Sequence, residues 1–582
     1  MKRRFAILLL LFFAAALSSC NPDGTEVPCI ASMRDGDWEG TGDGRNGIIL
    51  VRSHIENNTI KTIKVVTQSE SSFAQDCIKA ILGKAIEKQE ALNIETDGIS
   101  GATLTSQGTI DAVNMSISAS KGLIYQKEKK YSDSSTDIVV IGAGGAGLSA
   151  AIAAADKDCK VIVLEKQGII GGNTNYSTGG INAAETSSQK ALGIKDTKES
   201  FFNDTWNGGH QIGDKTLIRS FVDHAAATIE WLIGLGADLS DVGLMGGSSI
   251  KRTHRPKGGS AIGPHLMKVL HKASMSKDIE IRTRNKVCGL LAEKGRVTGV
   301  QVENADGSAY KINAKAVIIA TGGFGGNLQM VEKYKPELHG FSTLNHNGAT
   351  GDAFEWVTGI GGGLVQMDQI QIHPTAEAKN HILITEAVRG NGAVLFNSEG
   401  KRFINEMDTR DVVSAAILAQ YGQTAFLVFD QKVRESLASI ETYVAQGLLS
   451  SAETPGNLAE KAGIKDTTAF SEEIGRYNEA QKTGIDKDFG RPASAMPLPL
   501  ATPPYYAVEV TPAIHHTMGG IKVDASLHVL KPDGTIIPGL YAAGEVTGGL
   551  HGGNRLGGNG VADIVVNGKI AGETASAMTA AK

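Results

Sequence analysis

Apolar and polar residues alternate along Gly47-Ile48-Ile49-Leu50-Val51 and again along Thr59-Ile60-Lys61-Thr62-Ile63-Lys64-Val65-Val66, with Asn57-Asn58 between the two runs. A period of two around an asparagine turn predicts a β-hairpin. A helical stretch follows from about Ala74 to Gln89, and residues 126–136 are rich in Lys, Ser and Asp with almost nothing to bury, which predicts a linker. Beyond it the pattern changes. Asp137-Ile138-Val139-Val140-Ile141 is a buried-strand run, and a glycine turn, an alanine-rich helix and a second strand ending at Glu165 come after it. The chain closes with a glycine-rich stretch from Gly539 to Gly568. Between these ends, residues 368–511 have fewer glycine clusters, helix-forming sequence at Val412–Gln420 and Ser471–Gln481, and a proline-rich exit through Pro497, Pro499, Pro503 and Pro504. The expected organisation is a small N-terminal domain at 35–125, the linker, and an α/β nucleotide-binding body at 137–367 and 512–582 with residues 368–511 inserted into it.

Composition narrows the function. The 582 residues suffice for roughly three to five globular units. Glycine, at 71 residues, is clustered beside apolar strands rather than spread as a low-complexity tract. Lys+Arg 57 against Asp+Glu 62 gives a net charge of −5, and no basic stripe with interleaved aromatics appears, which argues against nucleic acid as a partner. At the N-terminus, Lys2, Arg3 and Arg4 precede the apolar run Phe5 to Leu17. That run is too short to span a ~30 Å hydrocarbon core and reads as an export signal, residues 1–20. Leu17-Ser18-Ser19-Cys20 resembles a bacterial lipobox, which would leave Cys20 lipid-anchored on the periplasmic or extracytoplasmic face; an ordinary signal peptide cleaved nearby is the alternative. Cys29, Cys77, Cys159 and Cys288 are too scattered for a disulfide framework or a zinc site, although Cys29 and Cys77 could pair, and no C-x-x-C-H haem motif occurs.

The first strand runs directly into Gly142-Ala143-Gly144-Gly145-Ala146-Gly147. Gly142 permits the tight turn, Gly144 lets the backbone approach a pyrophosphate, and Gly147 lets helix and strand pack closely, with the helix N-terminus facing the phosphates. Glu165, at the end of the second strand, suits an adenosine ribose hydroxyl, with Lys166 beside it. Three later segments carry a resemblance: Gly171-Gly172-Asn173-Thr174-Asn175-Tyr176-Ser177-Thr178-Gly179-Gly180, Ala320-Thr321-Gly322-Gly323 and Gly539-Leu540-Tyr541-Ala542-Ala543-Gly544-Glu545. They resemble the distributed FAD contacts of the succinate dehydrogenase/fumarate reductase flavoprotein family, in the family's order and over three quarters of the chain. The resemblance implies an α/β Rossmann-like FAD-binding domain with an inserted α+β capping domain. It places Gly172, Asn173, Thr174, Ser177, Gly179, Gly180, Thr321, Gly322, Gly323, Asp352, Gly544, Glu545 and Gly558 at the cofactor. Membrane-bound members attach FAD through a histidine in the first of these loops; this loop has none, which implies non-covalent FAD.

The same resemblance extends to Gln371-Ile372-His373-Pro374-Thr375, Thr385-Glu386-Ala387-Val388-Arg389-Gly390, Thr409-Arg410-Asp411, His515-His516-Thr517-Met518-Gly519-Gly520 and His551-Gly552-Gly553-Asn554-Arg555. By it, His373 and Thr385 hold one side of an unsaturated carboxylate and His516 and Arg555 the other, while Arg410 donates a proton resupplied through Glu386 and Arg389. Hydride addition to a carbon–carbon double bond leaves negative charge on the substrate, which such groups can stabilise. An arginine stays protonated at neutral pH, so the role requires a strongly basic carbanion and a relay. No metal is expected. Fumarate is the expected substrate; urocanate, methacrylate or an arylacrylate are alternatives, and urocanate reductases place a tyrosine where this chain has His373. A flavoprotein that only transfers electrons is a further alternative.

Asp97-Gly98-Ile99-Ser100-Gly101-Ala102-Thr103 matches the D-x-x-S-G-A-T signature of α+β FMN-binding domains, in which a flavin transferase esterifies a threonine with FMN. That resemblance implies covalent FMN on Thr103, with Thr105 as the alternative. It further implies an external electron donor, a cytochrome or quinol dehydrogenase, feeding FMN and then FAD.

Overall fold

The computed structural model describes residues 33–90, 92, 98–99, 102–121, 131–168, 170–304 and 307–580. The expected export signal with Cys20, residue Cys29, and Asp97, Ser100 and Gly101 of the expected FMN signature lie outside the described residues. The chain divides into two compact units, Met1–Lys127 and Glu128–Lys582.

In the first unit the expected hairpin is present as strands Ile48–Glu56 and Thr59–Thr67, and Asn57 and Asn58 turn between them at φ 53° and 56°. A third strand, Gly36–Asp43, completes an antiparallel sheet. Its alternation is masked by glycines that serve packing: a Cβ at Gly40 would lie 2.0 Å from the Ala112 carbonyl, and one at Gly42 would lie 1.9 Å from that of Gly108. The helix Thr103–Ser120 can therefore press directly on this strand, and helix Ser72–Lys88 joins the core through Ile78, Ile81 and Ala85.

The second unit is built on a sheet in which Ser134–Ile141 is flanked by Ala309–Ile319 and Val161–Leu164, all parallel, with Glu280–Arg282 beyond. Ile536–Ala542 pairs parallel with the far end of Ala309–Ile319. The first strand begins at Ser134, three residues ahead of the sequence reading, because Ser134–Thr136 pair with Ile312–Ala314. Four loops thus leave the carboxyl ends of neighbouring parallel strands at one edge: 142–145, 165–168, 320–323 and 543–545. Open α/β sheets bind ligands at such an edge.

A separate sheet, ordered Ile370–Glu377, Tyr505–Thr517, Ala425–Asp430 and Val394–Phe396, with Ser450–Ala452 also paired to Tyr505–Thr517, forms the capping layer. Its strand Tyr505–Thr517 runs six residues past the expected boundary at 511. It carries His515 and His516 back toward the FAD-binding body, where Ile514 bridges Thr343. Helix Gly145–Ala155 lies on the C-terminal helix Asn559–Ala580 at glycine distance, since a Cβ at Gly572 would sit 2.2 Å from the Ala150 carbonyl.

The dinucleotide turn depends on one such contact. A Cβ at Gly147 would fall 1.8 Å from the Gly142 carbonyl, a backbone atom that cannot rotate aside. Gly147→Ala is expected to lower stability by about 3 kcal/mol, the upper range for overpacking. Urea denaturation would show this as a lower midpoint; an unchanged midpoint would mean that the turn opens at no cost.

Candidate active site

At the carboxyl edge of the parallel sheet lies a cavity of about 840 Å³ lined by Gly142, Gly144, Gly145, Ala146, Glu165, Lys166, Gly172, Asn173, Thr174, Thr321, Gly322 and Asp352. Glu165 faces it from the end of its strand, its two oxygens accepting from Ala143 N at 3.0 Å and Gln167 N at 2.8 Å. Lys166 pairs with Asp352 at 2.8 Å and donates to Thr350 Oγ1, so that this predicted pair forms one wall. Gly147 and Gly323 line neither this cavity nor the next. Gly147 packs on Gly142, and a Cβ at Gly323 would meet Thr517 Oγ1 at 2.0 Å. Gly544, at φ 78°, supplies the turn that presents Glu545.

A second cavity of about 870 Å³ shares Asn173, Thr174 and Glu545 with the first. It is lined by Ser177, Gly179, Gly180 and Gly558, and by His373, Thr385, Glu386, Arg410, His516 and Arg555. Three imidazoles, His515 among them, and two guanidinium groups from four distant segments thus meet around one space. Arg389 lies behind Glu386 and does not line it.

Each side chain is held for a reason that can be named. His373 accepts from Thr375 N at its Nδ1, 3.2 Å, which leaves Nε2 as the protonated nitrogen and a donor. Burial, then the charge of Arg410, keep the ring neutral, well below the usual histidine range. Thr385 caps helix Glu386–Gly390 by accepting from Ala387 N at 3.4 Å, so its hydroxyl hydrogen is available elsewhere. Arg410 begins helix Arg410–Leu418; its Nε donates to Glu386 Oε2 at 2.7 Å and its Nη1 to Gln371 Oε1 at 3.1 Å. Glu386 also accepts from Gly246 N and faces Arg389 Nη2 at 3.9 Å. Burial alone would raise the Glu386 carboxyl, but the charges of Arg410 and Arg389 hold it below the usual range. Arg389 is lowered to about 10 by burial.

On the other side, Arg555 donates to Leu556 O at 3.1 Å, and its Nε has no partner. Burial, then Arg410, lower it to about 9, so it stays charged at neutral pH. Gly560 leaves room for its guanidinium, which a Cβ there would approach to 3.2 Å. His516 lies 3.5 Å from Glu545 through Nδ1, and its Nε2 is unpartnered.

Gln371, without a role in the sequence reading, lies among these side chains. It accepts from Arg410 and donates to Asn554 Oδ1 at 2.7 Å and Arg555 O at 2.8 Å, so it ties the two arginine segments together. The signal was its place two residues before His373 on a strand, which puts both on one face. His515 packs edge-on to His373 at 5.1 Å between ring centres and also lines the cavity, with Met245, Leu344 and Leu383 as apolar wall.

The fold and the paired cavities define an FAD-binding oxidoreductase with a separate, smaller FMN-binding unit. Residues 137–561 match the FAD binding domain family and residues 44–118 the FMN-binding domain family. The chain belongs to the fumarate-reductase type of FAD-binding flavoproteins, oxidoreductases acting on CH–CH groups. It is 47% identical over 441 residues to "Fumarate reductase (cytochrome)" of Shewanella frigidimarina, covering 76% of this chain and 77% of that one. It is 33% identical over 589 residues to "Urocanate reductase" of Eggerthella lenta, covering 97% and 96%. Among solved structures, the open conformation of a flavocytochrome c3 fumarate reductase matches at 40% identity and a TM-score of 0.65, over 77% of this chain and 79% of that one. Among the described residues, no helix is long and apolar enough to cross a membrane.

The charge balance gives a pH signature. Burial pushes Glu545 up to about 7, so its contribution to stability is complete below about 4.5 and is lost as pH rises through about 7. The neutral, buried His373, His515 and His516 act in the opposite sense, losing stability as pH falls below 6.5. In the FAD-free protein, Glu545→Gln is expected to gain stability relative to the parent between pH 5 and pH 7.5. Urea midpoints at the two pH values test this, and a constant difference would rule out a raised carboxyl.

Proposed function

We propose that this chain reduces fumarate to succinate outside the cytoplasm, taking electrons from an external donor by way of covalent FMN and non-covalent FAD. The observation that carries the reading is the meeting of His373, Arg410, His516 and Arg555 around one cavity that shares a wall with the glycine-lined one. The glycine cradle suits FAD: a Cβ at Gly144 would lie 3.6 Å from the Gly171 carbonyl, filling the space along the turn, and Thr321 Oγ1 is buried without a partner. Export and a lipid anchor at Cys20 rest on the N-terminal sequence.

Bound FAD supplies hydride to one alkene carbon. The His373 Nε2–H and the Thr385 hydroxyl hold one carboxylate, and Arg555 and the unpartnered His516 Nε2 hold the other. Fixed donors at both ends stabilise the negative charge that develops on the substrate. Arg410 has its Nε–H committed to Glu386 and one Nη1–H to Gln371, so its remaining Nη hydrogens are those left to protonate the second carbon. Glu386, ionised at rest, takes a proton from Arg389, whose grip on its own proton burial has weakened, and passes it to Arg410.

Urocanate is the second reading, favoured by the near full-length match to a urocanate reductase. Donors at both ends of the cavity support a dicarboxylate instead. Reduced viologen oxidised quickly with fumarate and not with urocanate or methacrylate is the expected result; the reverse would overturn the substrate. Arg410→Ala is expected to lower kcat on the order of 10³-fold while FAD remains bound, the range for loss of a general acid, and a near-native rate would remove Arg410 from the proton step.

Thr103 as the FMN acceptor is supported by two features of the first unit. The alternative, Thr105, is 2% exposed and donates its hydroxyl to Glu70. Thr103 is the first residue of an 18-residue helix whose N-cap, Ala102, offers no side-chain acceptor, so the first-turn N–H groups favour a phosphate. Intact-mass measurement is expected to show one added FMN that disappears in Thr103→Ala; persistence in that variant would move the attachment elsewhere.

A further inference from the structure

Glu70 is a carboxylate buried in the first unit, 5% exposed, and far in sequence from the FMN signature. It lies between strand Thr59–Thr67 and helix Ser72–Lys88, yet its contacts reach two other segments. Oε1 accepts from Asn46 N at 2.7 Å, in the turn closed by Gly44 N to Gly47 O at 2.8 Å. Oε2 accepts the hydroxyl of Thr105, in the first turn of helix Thr103–Ser120. Gly44 is pressed on the same carboxylate, since a Cβ there would stand 2.5 Å from Oε1. Farther along, the helix is already fixed on strand Gly36–Asp43 by the glycine contacts at 40, 42 and 108. Its first turn lies beyond those contacts, and Glu70 ties that turn to the 44–47 loop.

We infer that Glu70 is a positioning residue for flavin attachment: it holds the first helical turn, which opens at Thr103, against the 44–47 loop, and it withdraws the competing Thr105 hydroxyl. The inference rests on Thr103 being the acceptor. In the attachment step the Thr103 oxygen forms a new P–O bond to the FMN phosphorus of a flavin dinucleotide donor. The pyrophosphate P–O bond breaks, the nucleotide half departs, and the hydroxyl proton passes to the transferase. No electrons are transferred. Glu70 takes no part in those bonds. A carboxylate beside Thr105 disfavours a second anionic group there, whereas Thr103 stands at the helix end, where backbone N–H groups welcome one.

The test follows attachment on the full-length chain, co-incubated with a flavin transferase and FAD, by intact mass and by peptide mapping of the flavinylated threonine. Glu70→Ala is expected to slow attachment at least five-fold. Glu70→Gln, whose Oε1 can still accept from Asn46 N while its amide nitrogen donates to Thr105 Oγ1, is expected to restore at least half the parent rate. A purely structural role would not separate these two variants if their unfolding midpoints match. Should Glu70→Ala fail to fold, Thr105→Val breaks the same link with little change in shape and is expected to slow attachment at least three-fold, with Thr105→Ser near the parent. Parent-like rates in Glu70→Ala, or in Thr105→Val where the first is unfolded, overturn the inference. Retention of the added mass in Thr103→Ala instead overturns the acceptor assignment beneath it.

Discussion

Three guanidinium groups, Arg389, Arg410 and Arg555, stand close to one another in the interior of the second unit, and like charges there repel far more strongly than in water. The arrangement depends on Glu386. One of its oxygens takes Arg410 at 2.7 Å and faces Arg389 at 3.9 Å, while the other accepts from Gly246 N. Gly246 and Gly557 give it space, because a Cβ at either would lie 2.8–2.9 Å from Oε1. Removing one member of such a buried set leaves an uncompensated charge, which costs about 3–5 kcal/mol. The carboxylate therefore fixes the position of Arg410 and also joins the capping layer to the FAD-binding body.

A second link between these layers is His210 with Asp411, at 2.8 Å and next in sequence to Arg410. Both partners are about half exposed, and such pairs contribute ~0–1 kcal/mol. The magnitudes decide which link matters: the exposed pair contributes little, whereas the buried Glu386 sets the geometry between the layers. Gln371 adds a neutral connection between Arg410 and the Arg555 segment, which keeps the two charges at a fixed spacing without introducing a third.

The parts legible in the sequence were those whose signal is local. Gly142 to Gly147, the hairpin turn at Asn57-Asn58 and the T-E-A and T-R-D segments announce themselves over a few residues. Their meeting in one cavity could be inferred only through resemblance to a family, since nothing in the spacing of His373, Arg410, His516 and Arg555 brings them together. The first strand was hidden because its glycines answer to a helix more than 60 residues away. Gln371 and Glu70 escaped for a related reason: each acts by joining segments distant in sequence, and a single polar residue carries no mark of what it will join. The start of the central strand at Ser134 was misread as linker because Ser134–Thr136 are polar and held by ladder bonds, which composition does not report.

The two cavities meet at Glu545, and its environment gives that position a particular use. A carboxyl raised to about 7 is close to half protonated at neutral pH, so added negative charge in either cavity draws a proton onto it. Arg555, lowered only to about 9, cannot answer in that way because it is already fully charged. His516 stands between them, 3.5 Å from the carboxyl, with its outer nitrogen free. Proton gain at Glu545 would let the imidazole accept from the carboxyl through Nδ1 and donate through Nε2 toward the substrate.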